Sequence, residues 1–397
     1  MTLKRVLRAT AAVVLALACL LTCACSTPKV AMEVGGKVYE MGDYLAYAYG
    51  TAMTDSNAYV YLYYYGEEAL SMDFPYGESD KEYTMEEYLI YTTRDMMVRQ
   101  KALEDMLKDE GLEWDKELLA DAEEDLKVLA PDQYLSLGFN NQRYINMYKA
   151  VNLNESSLFD GLYNKGGKRE VKEEEIRKYF DENYLSYYMF EISLVDDKNA
   201  ALSDEIIADY QKHFDEYLAT FNKSKKTADD FQAIYRQFLA DTADDKKTTE
   251  EGDNVVVDDA AEGEGDETTD ETKEEEKKTE RVDVVKEADG VDEELVKAIE
   301  KINEGEAKVV TYKQGGTKNT LALIFRMDPE ADRGQDENKK DIDYYEQSRD
   351  QTLQYMKYDE FNAEVEERVK ELKKTAVIDW KAMNKVNFVE LLGLAKK

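Results

Sequence analysis

The hydrophobic positions of this 397-residue chain follow two periods, and the changes between them mark its parts. Met32 to Tyr39 alternates around Gly35-Gly36, the pattern of a small hairpin. Helical spacing then runs from Gly42 to about Lys149. Within it, Thr84 and Glu87 have capping-box spacing, Leu89, Met96, Leu103 and Leu107 recur on one face, and Gly111 supplies the stop. Further helices are expected after Asp115 and after Asn140 or Asn141. Gly166-Gly167 interrupts the chain, and Val171 to Tyr184 is helical again, with Ile176, Tyr179 and Phe180 on one side. The period then shortens to two: Phe190, Ile192 and Leu194 alternate with Glu191 and Ser193, which predicts a half-buried strand.

Two helices follow, one through Ile206, Tyr210, Phe214, Tyr217 and Phe221, the other capped by Thr227 and Asp230 and continuing through Phe231, Ile234, Tyr235 and Phe238. A short helix at Leu295, Ile299 and Ile302, strands at Val309 to Tyr312 and Leu321 to Phe325 around Gly315-Gly316, and a long helix from about Asp341 to Lys373 complete the order, with a β-like Val377-Ile378 after it. Helices and strands that segregate in this way define an α+β class.

Two stretches carry no such pattern. Residues 241–280 are Asp, Glu, Lys, Thr and Gly with almost no large apolar side chain, so they cannot bury enough surface to offset chain entropy and are expected to be disordered. The alternative is an acidic binding tail or a weak calcium-binding stretch. At the other end, Lys4, Arg5 and Arg8 precede an apolar run, Ala11 to Leu21, about half the length that crosses a bilayer. That arrangement predicts a cleaved export signal over residues 1–24.

The three cysteines, Cys19, Cys23 and Cys25, all lie at the end of that run. Leu21-Thr22-Cys23-Ala24-Cys25-Ser26 resembles a bacterial lipobox, which implies a lipidated Cys25, with Cys23 the second choice. The alternative is an ordinary secretory signal with incidental cysteines. Lipidation at Cys25 implies a location on the outer face of the cytoplasmic membrane and a mature chain with neither a free thiol nor a disulfide. The formal net charge of −35 argues against nucleic acid as a partner and against a peripheral grip on anionic lipid, leaving the anchor as the membrane contact. The length suits about two domains.

The order of elements resembles the extracytoplasmic foldase and chaperone family that includes SurA and PrsA. Val34-Gly35-Gly36-Lys37-Val38 with Asp43-Tyr44-Leu45 is similar to its opening hairpin and first helix, and Tyr88-Leu89-Ile90 through Leu107, Gly111 and Leu112 to its long helix. Val171 to Ile176 with Tyr179 resembles the helix leading into a parvulin domain, and Tyr188 to Val195 that domain's first strand. Asp230-Phe231 with Tyr235, Glu304-Gly305-Glu306 and Leu321 to Phe325 resemble its second helix, Gly-Glu turn and last strand.

The resemblance implies a SurA- or trigger-factor-like helical chaperone domain over residues 25–165 and a small parvulin-like α+β domain over 166–330, which holds the acidic insert. It further implies a C-terminal helix in 331–397 packing back on the first domain. A parvulin-type peptidyl-prolyl isomerase places a histidine in its first strand and another in its last. Glu191 stands at the first position, and Asn319, Thr320, Leu321 and Ala322 are the candidates at the second. The one histidine, His213, lies on a helix between Lys212 and Asp215, where a solvated role is the ordinary one.

The resemblance therefore implies a chaperone for unfolded or extended secreted polypeptides with weak or absent isomerase chemistry. The alternatives are a lipoprotein module for peptide binding or envelope assembly and, third, an active isomerase. Tyr44, Tyr47, Tyr49, Tyr59, Tyr61, Tyr63, Tyr64 and Tyr65 crowd the early helical region. Tyrosine offers broad contact area at low entropy cost, so Tyr59, Tyr61, Tyr63 and Tyr64 are candidate client contacts; the alternative is that they pack a core. No phosphate loop, zinc-ligand cluster or nucleophile triad is present in the sequence, and no cofactor or metal is expected.

Overall fold

A computed structural model describes residues 30–75, 83–128, 140–196, 198–248, 278–286, 288, 290–331, 333, 340 and 342–394. The expected signal, Cys23, Cys25 and most of the acidic insert lie outside these residues. The protein is an α+β protein of two compact units, one formed by the chain to Val171 together with Lys357–Lys397, the other by Lys172–Met356.

The first unit opens with β1 (Val30–Val34) and β2 (Lys37–Glu40), joined by Gly35 and Gly36 at φ 54° and 74°. Two consecutive positive φ angles are what a tight hairpin turn demands, and glycine meets the demand without strain. Glu40 and Asp43 form the capping box that starts α1 (Met41–Thr54), which buries Tyr44, Ala46, Tyr47, Ala48 and Ala52. Asp55 caps α2 (Ser56–Tyr65) by accepting from the Ala58 amide at 2.9 Å. A 3-10 turn (Gly66–Ser71) and two short strands, β3 (Asp73–Phe74) and β4 (Tyr83–Thr84), interrupt what sequence spacing reads as continuous helix.

The expected Thr84–Glu87 capping box is present at the start of α3 (Met85–Glu110), and Gly111 closes it in the left-handed conformation at φ 62°. Its core face is Leu89, Ile90, Met97, Val98, Leu103 and Leu107; Met96 lies at the margin. α4 (Lys116–Val128) and α5 (Asn141–Tyr163) follow, the latter capped by Asn140. A small polar network is satisfied inside: Trp114 Nε1 donates to Asn154 Oδ1 at 2.8 Å, and Asn154 Nδ2 donates to Gln100 Oε1 at 2.9 Å. Buried amides paired in this way avoid the cost of an unmet donor.

In the second unit, α6 (Glu173–Asn183) buries Ile176 and Phe180 and runs into β5 (Tyr184–Ser193), four residues before the expected start. β5 then makes an antiparallel sheet with β6 (Val282–Val285), β7 (Ala307–Gln314) and β8 (Lys318–Met327) in the order β6-β5-β8-β7. β6 has no counterpart in the sequence reading. Its Val-Asp-Val-Val pattern adjoins the acidic tract and is too short to display a period.

Two helices, α7 (Asp204–Lys223) and α8 (Ala228–Thr248), cover one sheet face. There Phe190, Phe214, Phe221, Phe231, Phe238 and Phe325 form an aromatic core. The last turns of α8 extend beyond residue 241, where disorder was expected to begin. The opposite face carries Leu185, Tyr187, Tyr312, Ala322 and Ile324 against α9 (Glu293–Ile299) and Ile302.

The long helix α10 (Tyr344–Thr375) contributes to both units. In the second unit, Tyr344 and Tyr345 meet Phe180 at 5.8 and 5.3 Å. In the first unit, Phe361 and Val365 are fully buried, and Phe361 meets Phe159 at 5.4 Å. β9 (Val377–Ile378) then pairs antiparallel with β1, and two short helices, α11 (Trp380–Met383) and α12 (Phe388–Leu391), end the described chain. Among the described residues no helix is long and apolar enough to cross a membrane.

Candidate functional site

Side chains on a strand alternate between sheet faces, so Glu191 shares a face with Leu185, Tyr187 and Met189. Its registry partner on β8 is Ala322, and Thr320 on β8 pairs with both Ser193 and Tyr312. Tyr312 therefore lies two strands from Glu191. Its hydroxyl donates to Glu191 Oε2 at 2.5 Å, and Gln314 Nε2 donates to Oε1 at 3.3 Å.

Burial and then the Glu191 carboxylate raise the Tyr312 phenol far above its ordinary range, so it stays protonated as a donor. Tyr187 is pushed up to about 12, by burial first and the Glu191 charge second. At the end of the β7–β8 hairpin, Asp292 Oδ2 accepts from the Gly315 amide at 2.7 Å, and Asp292 Oδ1 accepts from the amides of Glu294 and Leu295 at 2.9 and 3.2 Å. One carboxylate thus caps α9 and ties the hairpin to it.

The four last-strand candidates separate. Asn319 is exposed and uses its carbonyl to accept from Leu194 at 2.9 Å. Leu321 belongs to the aromatic core on the other face. Thr320 and Ala322 are buried on the Glu191 side, and Thr320 Oγ1 is within 3.3 Å of the Lys318 carbonyl. None of these side chains has the near-neutral titration that a general acid–base catalyst uses. His213 is 42% exposed on α7, 3.7 Å from Asp209 of its own helix. Among the described residues no group of three or more His, Cys, Asp or Glu side chains is placed to hold a metal ion.

The tyrosine-rich segment divides by helix face. Tyr44 and Tyr47 are core residues of α1. In α2 only Ala58 and Leu62 are buried, and Tyr59 is partly covered. Tyr61, Tyr63, Tyr64 and Tyr65 are 41%, 60%, 70% and 53% exposed. The rings form two groups: Tyr59–Tyr63 at 6.3 Å with Tyr63–Tyr64 at 5.3 Å, and Tyr61–Tyr65 at 5.7 Å with Tyr61–Phe74 at 6.1 Å. Phe74 continues to Tyr88 at 4.6 Å, and the Tyr88 hydroxyl donates to Asp55, the α2 cap.

Phe74 also pairs with Tyr83 across the β3–β4 ladder. Tyr83 meets Tyr91 at 5.5 Å, and Tyr91 meets Trp380 at 5.6 Å, with the Arg94 guanidinium over both. Of the four sequence candidates, Tyr59, Tyr63 and Tyr64 thus form a group of their own, while Tyr61 is joined to an aromatic run that includes Phe74, Tyr83, Tyr91 and Trp380. These four lie on separate elements, and no spacing along the chain announces their meeting.

With both sites described, the protein is α+β, with a four-stranded antiparallel sheet in one unit and a helical body with an exposed aromatic face in the other. No protein-family model and no curated protein matches the chain. Among solved structures, the chain is similar to the foldase protein PrsA from Lactococcus lactis, at 10% identity over 93% of this chain and 100% of that one, with a TM-score of 0.31. It is also similar to the foldase protein PrsA from Streptococcus pneumoniae str. Canada MDR_19A, at 13% identity over 82% of this chain and 95% of that one, with a TM-score of 0.25.

Proposed function

We propose that this protein is an extracytoplasmic chaperone, anchored by lipid at Cys25, that holds unfolded exported polypeptides and has little or no prolyl isomerase activity. The observation behind this reading is the exposed face of α2. A ten-residue helix that buries only Ala58 and Leu62 and turns four tyrosines outward leaves apolar surface uncovered, and such surface is characteristic of interaction sites. Rigid aromatic rings with polar tips suit loose, sequence-tolerant contact with extended chains.

The sheet site supports the second half of the reading. Prolyl isomerisation faces a barrier of about 20 kcal/mol, lowered only by a site that binds the twisted amide better than the planar one. Glu191 is instead committed to Tyr312 and Gln314.

Aggregation suppression on an unfolded client, run beside a prolyl-peptide isomerisation assay, tests the reading. Suppression with background isomerisation is expected. Failure to hold any unfolded client would favour an envelope-assembly scaffold, and strong turnover would favour an active isomerase.

A further inference from the structure

The tyrosine face sits in a stretch with an unusual charge pattern. From Val38 to Asp80 the chain contains no Lys, Arg or His, while Glu40, Asp43, Asp55, Glu67, Glu68 and Asp73 are all acidic. Glu67, Glu68 and Asp73 are exposed just beyond the end of α2, and the hydrogen bond that Glu67 Oε1 accepts there, from Asn387 Nδ2 at 3.2 Å, comes from a neutral amide. The last turn of α2 carries no basic residue. Aromatic faces are themselves regions of negative potential. Ring faces and carboxylates therefore bring one sign of charge to one exposed stretch of the chain.

From this, and resting on the chaperone reading above, we infer that the α2 face selects cationic segments of extended polypeptide, with Lys or Arg side chains lying over Tyr61, Tyr63, Tyr64 and Tyr65 and their charges toward Glu67 and Glu68. Charge complementarity decides the occupant. An acidic client would be repelled by the carboxylates, and a purely apolar one would gain the ring contacts alone. A lysine or arginine stem covers apolar surface while its head remains near the acidic rim. Arg94 stacked over Tyr91 and Trp380 shows a cation on the aromatic side chains of this same unit, at 5.2 and 5.6 Å from the ring centres.

The test uses the full chain and three unstructured peptides of equal length and equal Leu and Phe content, rich in Lys, Ser or Glu, with binding followed by fluorescence anisotropy. The Lys peptide should bind about tenfold tighter than the Glu peptide at low ionic strength, with the gap narrowing as salt screens the charges. The double variant Glu67→Gln, Glu68→Gln should remove most of that preference. It should leave Ser-peptide binding and the circular-dichroism melt unchanged. Tyr63→Ser with Tyr64→Ser should weaken all three peptides while the melt stays in place.

Equal binding of the Lys and Glu peptides would overturn the cationic preference and leave the chaperone reading standing. Binding of none of the peptides, together with no protection of an unfolded client, would remove both. Self-association lost in the tyrosine variant would assign the face to a second copy of the chain and overturn the inference.

Discussion

Tyr312 reaches across strand β8 to donate a 2.5 Å hydrogen bond to Glu191, joining two strands that are not neighbours in the sheet. The small side chain of Ala322, the registry partner of Glu191, stands on the strand between them. The bond gives the Glu191 carboxylate a structural partner. Tyr312→Phe should therefore lower stability by about 1 kcal/mol, the usual worth of such a bond, in chemical denaturation. Glu191→Gln should leave prolyl isomerisation at the background of the parent protein. Strong parent activity that survives this substitution would refute the idle-site reading.

Alkaline pH should unfold the protein through its tyrosines. Burial pushes Tyr88, Tyr184 and Tyr187 up to about 12 from an ordinary value of 10.0, with a hydrogen bond to Asp55 adding to the shift at Tyr88. Unfolded, these phenols lose their protons near pH 10; folded, they keep them. The unfolded state thus binds fewer protons between pH 10 and 12, and stability falls as pH rises through that window. The contribution is fully present below pH 10. Thermal melts at stepped pH, read beside tyrosinate absorbance, should show Tm falling steeply there and the tyrosinate signal rising with unfolding.

A second charge centre should matter on the acid side. Arg333 forks onto Asp283 at 2.6 and 2.7 Å, Arg281 lies 3.4 Å from the same carboxylate, and the Arg333 guanidinium stacks 3.5 Å from the Tyr344 ring centre. Burial would raise the Asp283 pKa, but hydrogen bonds from Arg333 and Ser186 and the two positive charges hold it below the ordinary range. A depressed carboxyl contributes stability above its unfolded value of 3.8 that is lost as pH falls through its folded value. Asp283→Asn should cost about 2 kcal/mol, because it leaves two arginines facing each other without their shared anion. A variant as stable as the parent would show that the centre contributes little.

Cys25→Ala should release the protein from membranes, whereas Cys23→Ala should not. Fractionation and mass spectrometry of the mature N-terminus check this. Lipid found on Cys23, or a soluble mature form of the parent protein, would overturn the assignment.

Much of the frame was legible because local chemistry determined it. Gly35-Gly36 and Gly315-Gly316 mark hairpins, Thr84 with Glu87 and Asn140 mark helix starts, and Gly111 marks a stop; all take those roles. What escaped depended on distant partners. β3 and β4 are two residues each, too short for any period, and β6 is a strand because β5 offers it an edge. The Glu191–Tyr312 bond follows from strand order, which periodicity cannot supply. For Tyr59, Tyr61, Tyr63 and Tyr64 the sequence offered two readings, client contact or core, and the fold decides between them by leaving Tyr61, Tyr63 and Tyr64 exposed and Tyr59 partly covered.

The pairing of β9 with β1 has a consequence for the order in which the protein can be made. Met32 meets Ile378 and Glu33 meets Val377, so the first sheet waits for residues made only after everything from Lys172 to Met356 is present. A chain emerging N-terminus first can assemble the intervening unit before its first unit closes. That early assembly shortens the loop whose ends must meet, and with it the entropy of closure. A ribosome or protein-conducting channel still holding Val377 and Ile378 would thus keep that sheet one strand short.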